Sequence, residues 1–192
     1  MPKIVFEEFF ADTVRQVGLT ADDVQSLREI GAVMSPYVEE ATDYFFDRLQ
    51  EQPSTARYLE GLSEQEWQRI RMGFGRSFMG LFSGHYDVNY SKRLWRSSLV
   101  FYIKLRFDPA HMITARGLLR RFVITKLSEK VSDKERLVEY VRAFNRMMDI
   151  DLAHLVAAYS TALLDTAGWR LTLTKRLAAQ GASRLLKNLD IE

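Results

Sequence analysis

The chain has 192 residues, 47% of them hydrophobic and 27% charged, with a formal net charge of +2. That profile fits a soluble globular protein long enough to bury a full core without disulfides or metals. The absence of cysteine excludes disulfides, thiolate metal sites and cysteine nucleophiles, and so small a net charge does not by itself imply a polyanionic partner.

Helical signals run almost from end to end. Only four prolines and ten glycines punctuate the chain, and no alternating strand pattern persists. The first expected helix covers 4–17; Glu7 and Glu8 sit inside its apolar stretch, so it is not expected to be a signal peptide. Thr20 and Asp23 look like a capping box that starts a helix over 21–34. Pro36 and Pro53 mark helix starts or breaks and bracket expected helices over 37–51 and 54–60. A second capping box, Ser63 with Glu66, opens 64–82. A helix over 88–106 follows. Asp108 and Pro109 read as an N-cap and a first helical position, where the missing N–H costs nothing, and open 109–130. Ser132 to Glu135 repeats the capping pattern before 133–166.

In the two long segments, Ile113, Leu118, Leu119, Phe122 and Val123, then Leu137, Tyr140, Val141, Phe144, Met148, Leu152, Leu155, Tyr159 and Leu163, recur at helical spacing. Two such helices joined by a short turn make an αα-hairpin. The last expected helix, 169–189, has an apolar stripe (Trp169, Leu173, Leu177, Leu185, Leu189) and a basic face (Arg170, Lys175, Arg176, Arg184, Lys187). It reads as a helix packing on its own domain or on a symmetry mate, as a connector to an output module, or as a membrane-surface helix. Asp165, Asp190 and Glu192 weigh against the third. The most apolar run, 152–164, contains His154 and is too short to span a bilayer. These features lead to the expectation of a cytoplasmic protein off the membrane.

Enzymatic signatures fail one after another. Gly73 and Gly75 lack the spacing and the lysine of a phosphate-binding loop, and no nucleophile elbow occurs. Asp149, Asp151 and His154 carry one Asp-x-x-His pair. A carboxylate-bridged di-iron bundle needs two carboxylate–histidine pairs and further carboxylates, so structural or surface roles are the better reading. The basic stretch around Arg116, Arg120 and Arg121 has no nucleic-acid recognition motif beside it and reads as a solvated helix face. The expectation is a protein that is not an enzyme and binds no nucleic acid.

Four segments, in order, carry a family resemblance. Gly18 to Arg28 resembles the first helix start of globin-coupled sensors. Asp43 to Leu49, followed by Pro53, is similar to the helix that supplies their distal tyrosine. Leu81-Phe82-Ser83-Gly84 with Tyr86, Asp87 and Tyr90 is the most specific match. Asp149 to Tyr159 looks like their last globin helix. The resemblance covers about 18–159. It implies an all-α, globin-like fold with an extra N-terminal helix and long last two helices: a globin-like sensor domain over 1–166 and a C-terminal amphipathic helix over 167–192.

The same resemblance implies haem, and the pocket positions depart from it. Counted back from Pro53, the distal tyrosine position is Phe46; Tyr44, two residues away, lies on a different helical face. Counted forward from Tyr86, the proximal histidine position is Phe101; counted back from Asp108 it is Tyr102. Haem iron needs an axial lone-pair donor. Phenylalanine has none, and a tyrosine phenol, with a pKa near ~10, serves only once ionised; Arg106 has the spacing to assist Tyr102. Three readings follow. The first is a regulatory sensor domain with a degenerate, non-haem pocket, signalling through a dimeric helical bundle. The second is a haem-binding oxygen sensor with Tyr102 or a relocated residue as axial ligand. The third is a purely structural dimerisation module. The resemblance also implies a homodimer formed through 109–166 and an output domain or signalling partner reached through 169–189.

Overall fold

The computed structural model describes residues 5–105 and 109–166, with Ala178, Gln180 and Ala182; the side chains of residues 101–105, 109 and 166 lie outside that description. The described residues form eight α-helices and one 3-10 turn, with no strand among them.

Helix α1 (Phe6–Val17) stops at Gly18, whose φ of 69° lies in the left-handed region that only glycine enters without strain. Its N–H returns to the Val14 carbonyl at 3.0 Å. Helix α2 (Ala21–Met34) opens on a reciprocal capping box: the Asp23 N–H donates to Thr20 Oγ1 at 3.2 Å, and the Thr20 N–H donates to Asp23 Oδ2 at 2.8 Å. A 3-10 turn, Ser35–Tyr37, then carries Pro36 and bends the chain into α3 (Val38–Gln50). Helix α4 (Pro53–Ala56) is a single turn. The helix expected over 54–60 shrinks because Tyr58 and Leu59 return three residues, to Thr55 and Ala56, and Gly61, at φ 77°, turns the chain away. Ser63 and Glu66 cap α5 (Glu64–Gly80) reciprocally.

Helices α6 (Val88–Leu105), α7 (Pro109–Lys130) and α8 (Lys134–Thr166, 33 residues) complete the described chain. Asp133, rather than Ser132, caps α8: its carboxylate accepts from the Arg136 N–H at 3.1 Å. The helix expected over 169–189 lies outside the described residues.

Helix α8 is the axis of the fold. Helices α2, α6 and α7 pack against it, and α1 lies across α6 and α8, while α3 is held between α5 and α7. Its buried face (Ala143, Phe144, Met147, Met148, Ile150, Leu155) meets Leu27, Ile30 and Met34 of α2 and Leu119, Phe122, Val123 and Leu127 of α7 in one continuous core. By length and composition, α8 is the one helix among the described residues that could cross a membrane, and 44% of its apolar window is buried inside the fold.

Two ion pairs fix α2 on α8: Arg146 to Asp23 at 2.5 Å, and Arg136 to Glu29, whose carboxylate also accepts from Tyr140 at 2.8 Å. Not every apolar position goes inward. Met112 and Ala115 are buried while Ile113 is exposed, and Val138, Val156 and Leu163 of α8 also face outward.

Candidate functional site

The segment from Leu81 to Tyr90, the strongest match to the sensor globins, closes the turn between α5 and α6. Most of the motif residues have a structural task. Leu81 and Phe82 are buried, and Phe82 stacks on Phe144 of α8 with ring centroids 5.7 Å apart. Gly31 of α2 lies so close that a Cβ there would stand 2.9 Å from Phe82 Cβ. Gly84 has φ 68° and is roofed by the Arg28 side chain, which donates to its carbonyl at 3.0 Å.

The Tyr86 hydroxyl donates to the Leu81 carbonyl at 2.7 Å; burial pushes this phenol up to about 12. Asp87 accepts the Tyr90 N–H at 2.8 Å and so starts α6. That bond, with help from Asn89 and Arg93, holds the Asp87 carboxyl below the ordinary range. The Tyr90 hydroxyl reaches Met147 Sδ at 3.2 Å, and burial drives its phenol well above the usual value. The signature therefore encodes a corner of the fold: its two tyrosines are engaged within the chain, and its exposed Asp87 is spent on starting α6.

The expected distal position lies on α3. Phe45 and Phe46 are both buried because α3 is clasped on two sides, and Phe46 has 0% exposure. The Phe46 ring meets Phe45 at 5.1 Å, Trp67 at 4.9 Å and Phe74 at 5.4 Å, all edge to face. Phe45 stacks on Phe74 at 4.4 Å. The series continues from Phe74 to Phe78, and from Phe78 to Phe82 and Phe122. Such offset and edge contacts add to the burial of each ring. Tyr44 points elsewhere: its ring lies 5.5 Å from Phe122 of α7, with the Arg48 guanidinium over it at 5.7 Å. Phe46 and Tyr44 thus belong to different faces of α3. Phe101 and Tyr102, the two candidate proximal positions, lie on the backbone of α6, and their side chains are outside the described residues, as is Arg106.

A haem iron requires an axial donor, and the described residues do not fit that need. Phe46 offers hydrocarbon, and no imidazole stands among its ring neighbours. His154 is fully buried, and both ring nitrogens are engaged: Nδ1–H donates to the Ile150 carbonyl at 2.8 Å, which leaves Nε2 to accept from Ser91 Oγ at 2.7 Å. His111 Nδ1 lies 3.4 Å from the Tyr58 hydroxyl, and His85 is exposed in the corner before α6. No cluster of metal-binding side chains occurs among the described residues. Asp149 and Asp151, which share a helix with His154, are occupied by Arg120 at 2.8 Å and Arg116 at 2.6 Å.

The Ser91–His154 bond joins α6 to α8, and α1 covers it. Phe9 and Phe10 meet the His154 ring at 4.9 and 6.1 Å, and Phe6 and Phe9 meet Trp95 at 5.5 and 6.0 Å. No sequence spacing announces this cluster, since its members come from three distant helices; the apolar run of α1 was its only hint. Burial lowers the His154 pKa below its ordinary value of 6.5, against the opposing pull of the Ile150 carbonyl and Asp151.

The unfolded chain therefore takes up this proton first as pH falls. The contribution of the neutral imidazole to stability is complete above about 6.5 and declines from there down to the lowered folded value. Denaturant titrations at neutral and mildly acidic pH are expected to show that decline, and His154→Asn is expected to flatten it. An equal decline in the variant would assign it to other groups.

Comparison with known proteins gives a consistent placement. The protoglobin family model matches residues 6–165. The globin domain of a Geobacter sulfurreducens globin-coupled sensor is similar in fold, with a TM-score of 0.70 and 23% identity over 78% of this chain and 96% of that one. The ferric globin domain of Escherichia coli DosC is similar with a TM-score of 0.62 and 11% identity, over 80% of this chain and 99% of that one. No curated protein gives a significant match. The family match runs from α1 to the end of α8 and so takes in the aromatic stack, the α5–α6 corner and the helix axis together: the chain belongs to the protoglobin family.

Proposed function

We propose that this chain is a regulatory sensor domain of the globin-coupled-sensor type whose haem pocket is degenerate. The observation that carries the reading is Phe46. At the position where the resemblance expects a hydroxyl donor, a phenyl ring is fully buried among Phe45, Trp67 and Phe74. Rings interlocked at these distances fill volume that a ligand would otherwise take, and protein interiors tolerate few voids. The domain's role is to bind and switch rather than to catalyse.

Its signal passes through a homodimer built on α7 and α8. Ile113, Val156 and Leu163, with 41, 44 and 47% exposure, give those helices outward apolar positions that the described fold leaves uncovered. One structural relative is itself the globin domain of a globin-coupled sensor, and in this reading the output module or partner is reached through the segment after Thr166. A signal of this kind needs two arrangements of the helices with different affinity for whatever occupies the domain.

The deciding measurement is an absorption spectrum of the purified protein with and without added haemin, repeated for Phe101→His and Tyr102→His. The wild type is expected to show no stoichiometric Soret band. A strong band in the wild type, lost in Tyr102→Phe, would replace this reading with a phenolate-ligated haem sensor. A band that appears only in one histidine variant would identify which of the two positions faces the pocket.

A further inference from the structure

Along the seam between α3 and α7, past the Tyr44–Phe122 ring pair, a groove of about 380 Å³ opens at the end of α3. Leu49 and Ala115 are buried and, with half-buried Leu118, form an apolar floor. The rim carries Arg48 and Glu51 from the end of α3 and Arg121 from α7. Arg48 and Glu51 neutralise each other at 2.6 Å. Arg121 is exposed and has no carboxylate partner among the described residues. The groove thus combines an apolar base with one uncompensated positive charge. Its volume is within the range of small-molecule sites.

We propose that this groove binds a small monoanionic carboxylate with a compact apolar body. The carboxylate lies on the Arg121 guanidinium, whose planar fork matches it in two parallel hydrogen bonds. The apolar body rests on Leu49, Ala115 and Leu118. A single negative charge is favoured because a second would face Glu51. An uncharged ligand leaves Arg121 unused, and a cation meets it head on. A ligand held this way bridges α3 to α7, so it favours the arrangement in which those helices are closed on each other. Phe46 and its ring neighbours do not line the groove, so the proposal is tested separately from haem uptake.

Benzoate is the probe, with benzamide as its uncharged counterpart, titrated into the full chain by calorimetry. Benzoate is expected to bind saturably and to raise the melting temperature, and benzamide to bind at least ~10-fold more weakly, as loss of a charge-assisted bond predicts. Arg121→Gln is expected to lower benzoate affinity by a similar factor while leaving the melting temperature of the free protein unchanged; Arg121→Lys is expected to recover part of the loss. The absence of saturable binding at millimolar benzoate would overturn the proposal. Equal binding of benzamide, or an Arg121→Gln variant that binds benzoate as the wild type does, would overturn it as well.

Discussion

Phe46→Ala is expected to destabilise the protein by about 3–5 kcal/mol, near the upper end for a single core truncation. The ring has no exposed atoms and touches three other aromatic side chains. Those neighbours belong to α3 and α5, which pack on each other, so little backbone can move in to close the void. Equilibrium urea denaturation reads the effect as a lower midpoint at unchanged slope.

Phe46→Tyr makes the same point from the other side. It supplies the hydroxyl that the resemblance expects, in a place where the described neighbours are hydrocarbon and indole. An unpartnered buried hydroxyl costs about 1–3 kcal/mol, and a loss of that size is expected. A Phe46→Tyr variant as stable as the wild type would mean that the hydroxyl finds room and a partner, and would undermine the filled-pocket reading.

The second large effect is expected at Arg116. Its Nε lies 2.6 Å from Asp151 Oδ2, with side-chain exposures of 15% and 5%. The N–H does not point along that line, since neither atom has an aligned hydrogen bond; the pair is held by charge and proximity. Arg116→Ala leaves a buried carboxylate without its counter-charge, and removal of one member of such a pair costs about 3–5 kcal/mol. Replacing both, Arg116→Met with Asp151→Leu, is expected to cost much less and even to approach neutrality. A double-mutant cycle followed by denaturation measures the difference. A double variant as unstable as Arg116→Ala would show that packing, and not the stranded charge, decides the outcome. The neighbouring Arg120–Asp149 pair, with exposures of 39% and 53%, is screened by water and is expected to contribute little.

The helices were legible in the sequence because their causes are local. Thr20 with Asp23 and Ser63 with Glu66 form the reciprocal caps their spacing announces, and Pro53 opens α4 where its missing N–H is harmless. Errors fell at ends where two neighbours compete for one role. Asp133 outcompetes Ser132 as the cap of α8, and the turn at Gly61 cuts short the helix expected over 54–60.

The pocket face of α3 was legible in part. Residues 44 and 46 had to diverge on a helix, but which neighbours each would meet depended on how α5 and α7 cross α3. The tertiary polar contacts were not legible at all. Ser91 and His154 are 63 positions apart, Tyr90 and Met147 are 57 apart, and no periodicity within one helix encodes the crossing that joins them. Asp151 and His154 illustrate the difficulty: their i, i+3 spacing invited comparison with a metal site, whereas each faces a different helix, Arg116 on α7 and Ser91 on α6.

The length of α8 has a mechanical consequence. At a rise of about 1.5 Å per residue, its 33 residues make a rod roughly 50 Å long. Phe144, stacked on Phe82 at the α5–α6 corner, sits about a third of the way along it, so roughly 33 Å of rod lies beyond that contact. A tilt of about 3° about this fulcrum carries the far end through roughly 1.7 Å, within the range of helix shifts that switch subunit interfaces. For the sensor role proposed above, the corner formed by Leu81 to Tyr90 would be the bearing of such a lever: a repacking too small to open a cavity at one end would become a displacement that a neighbouring helix registers at the other.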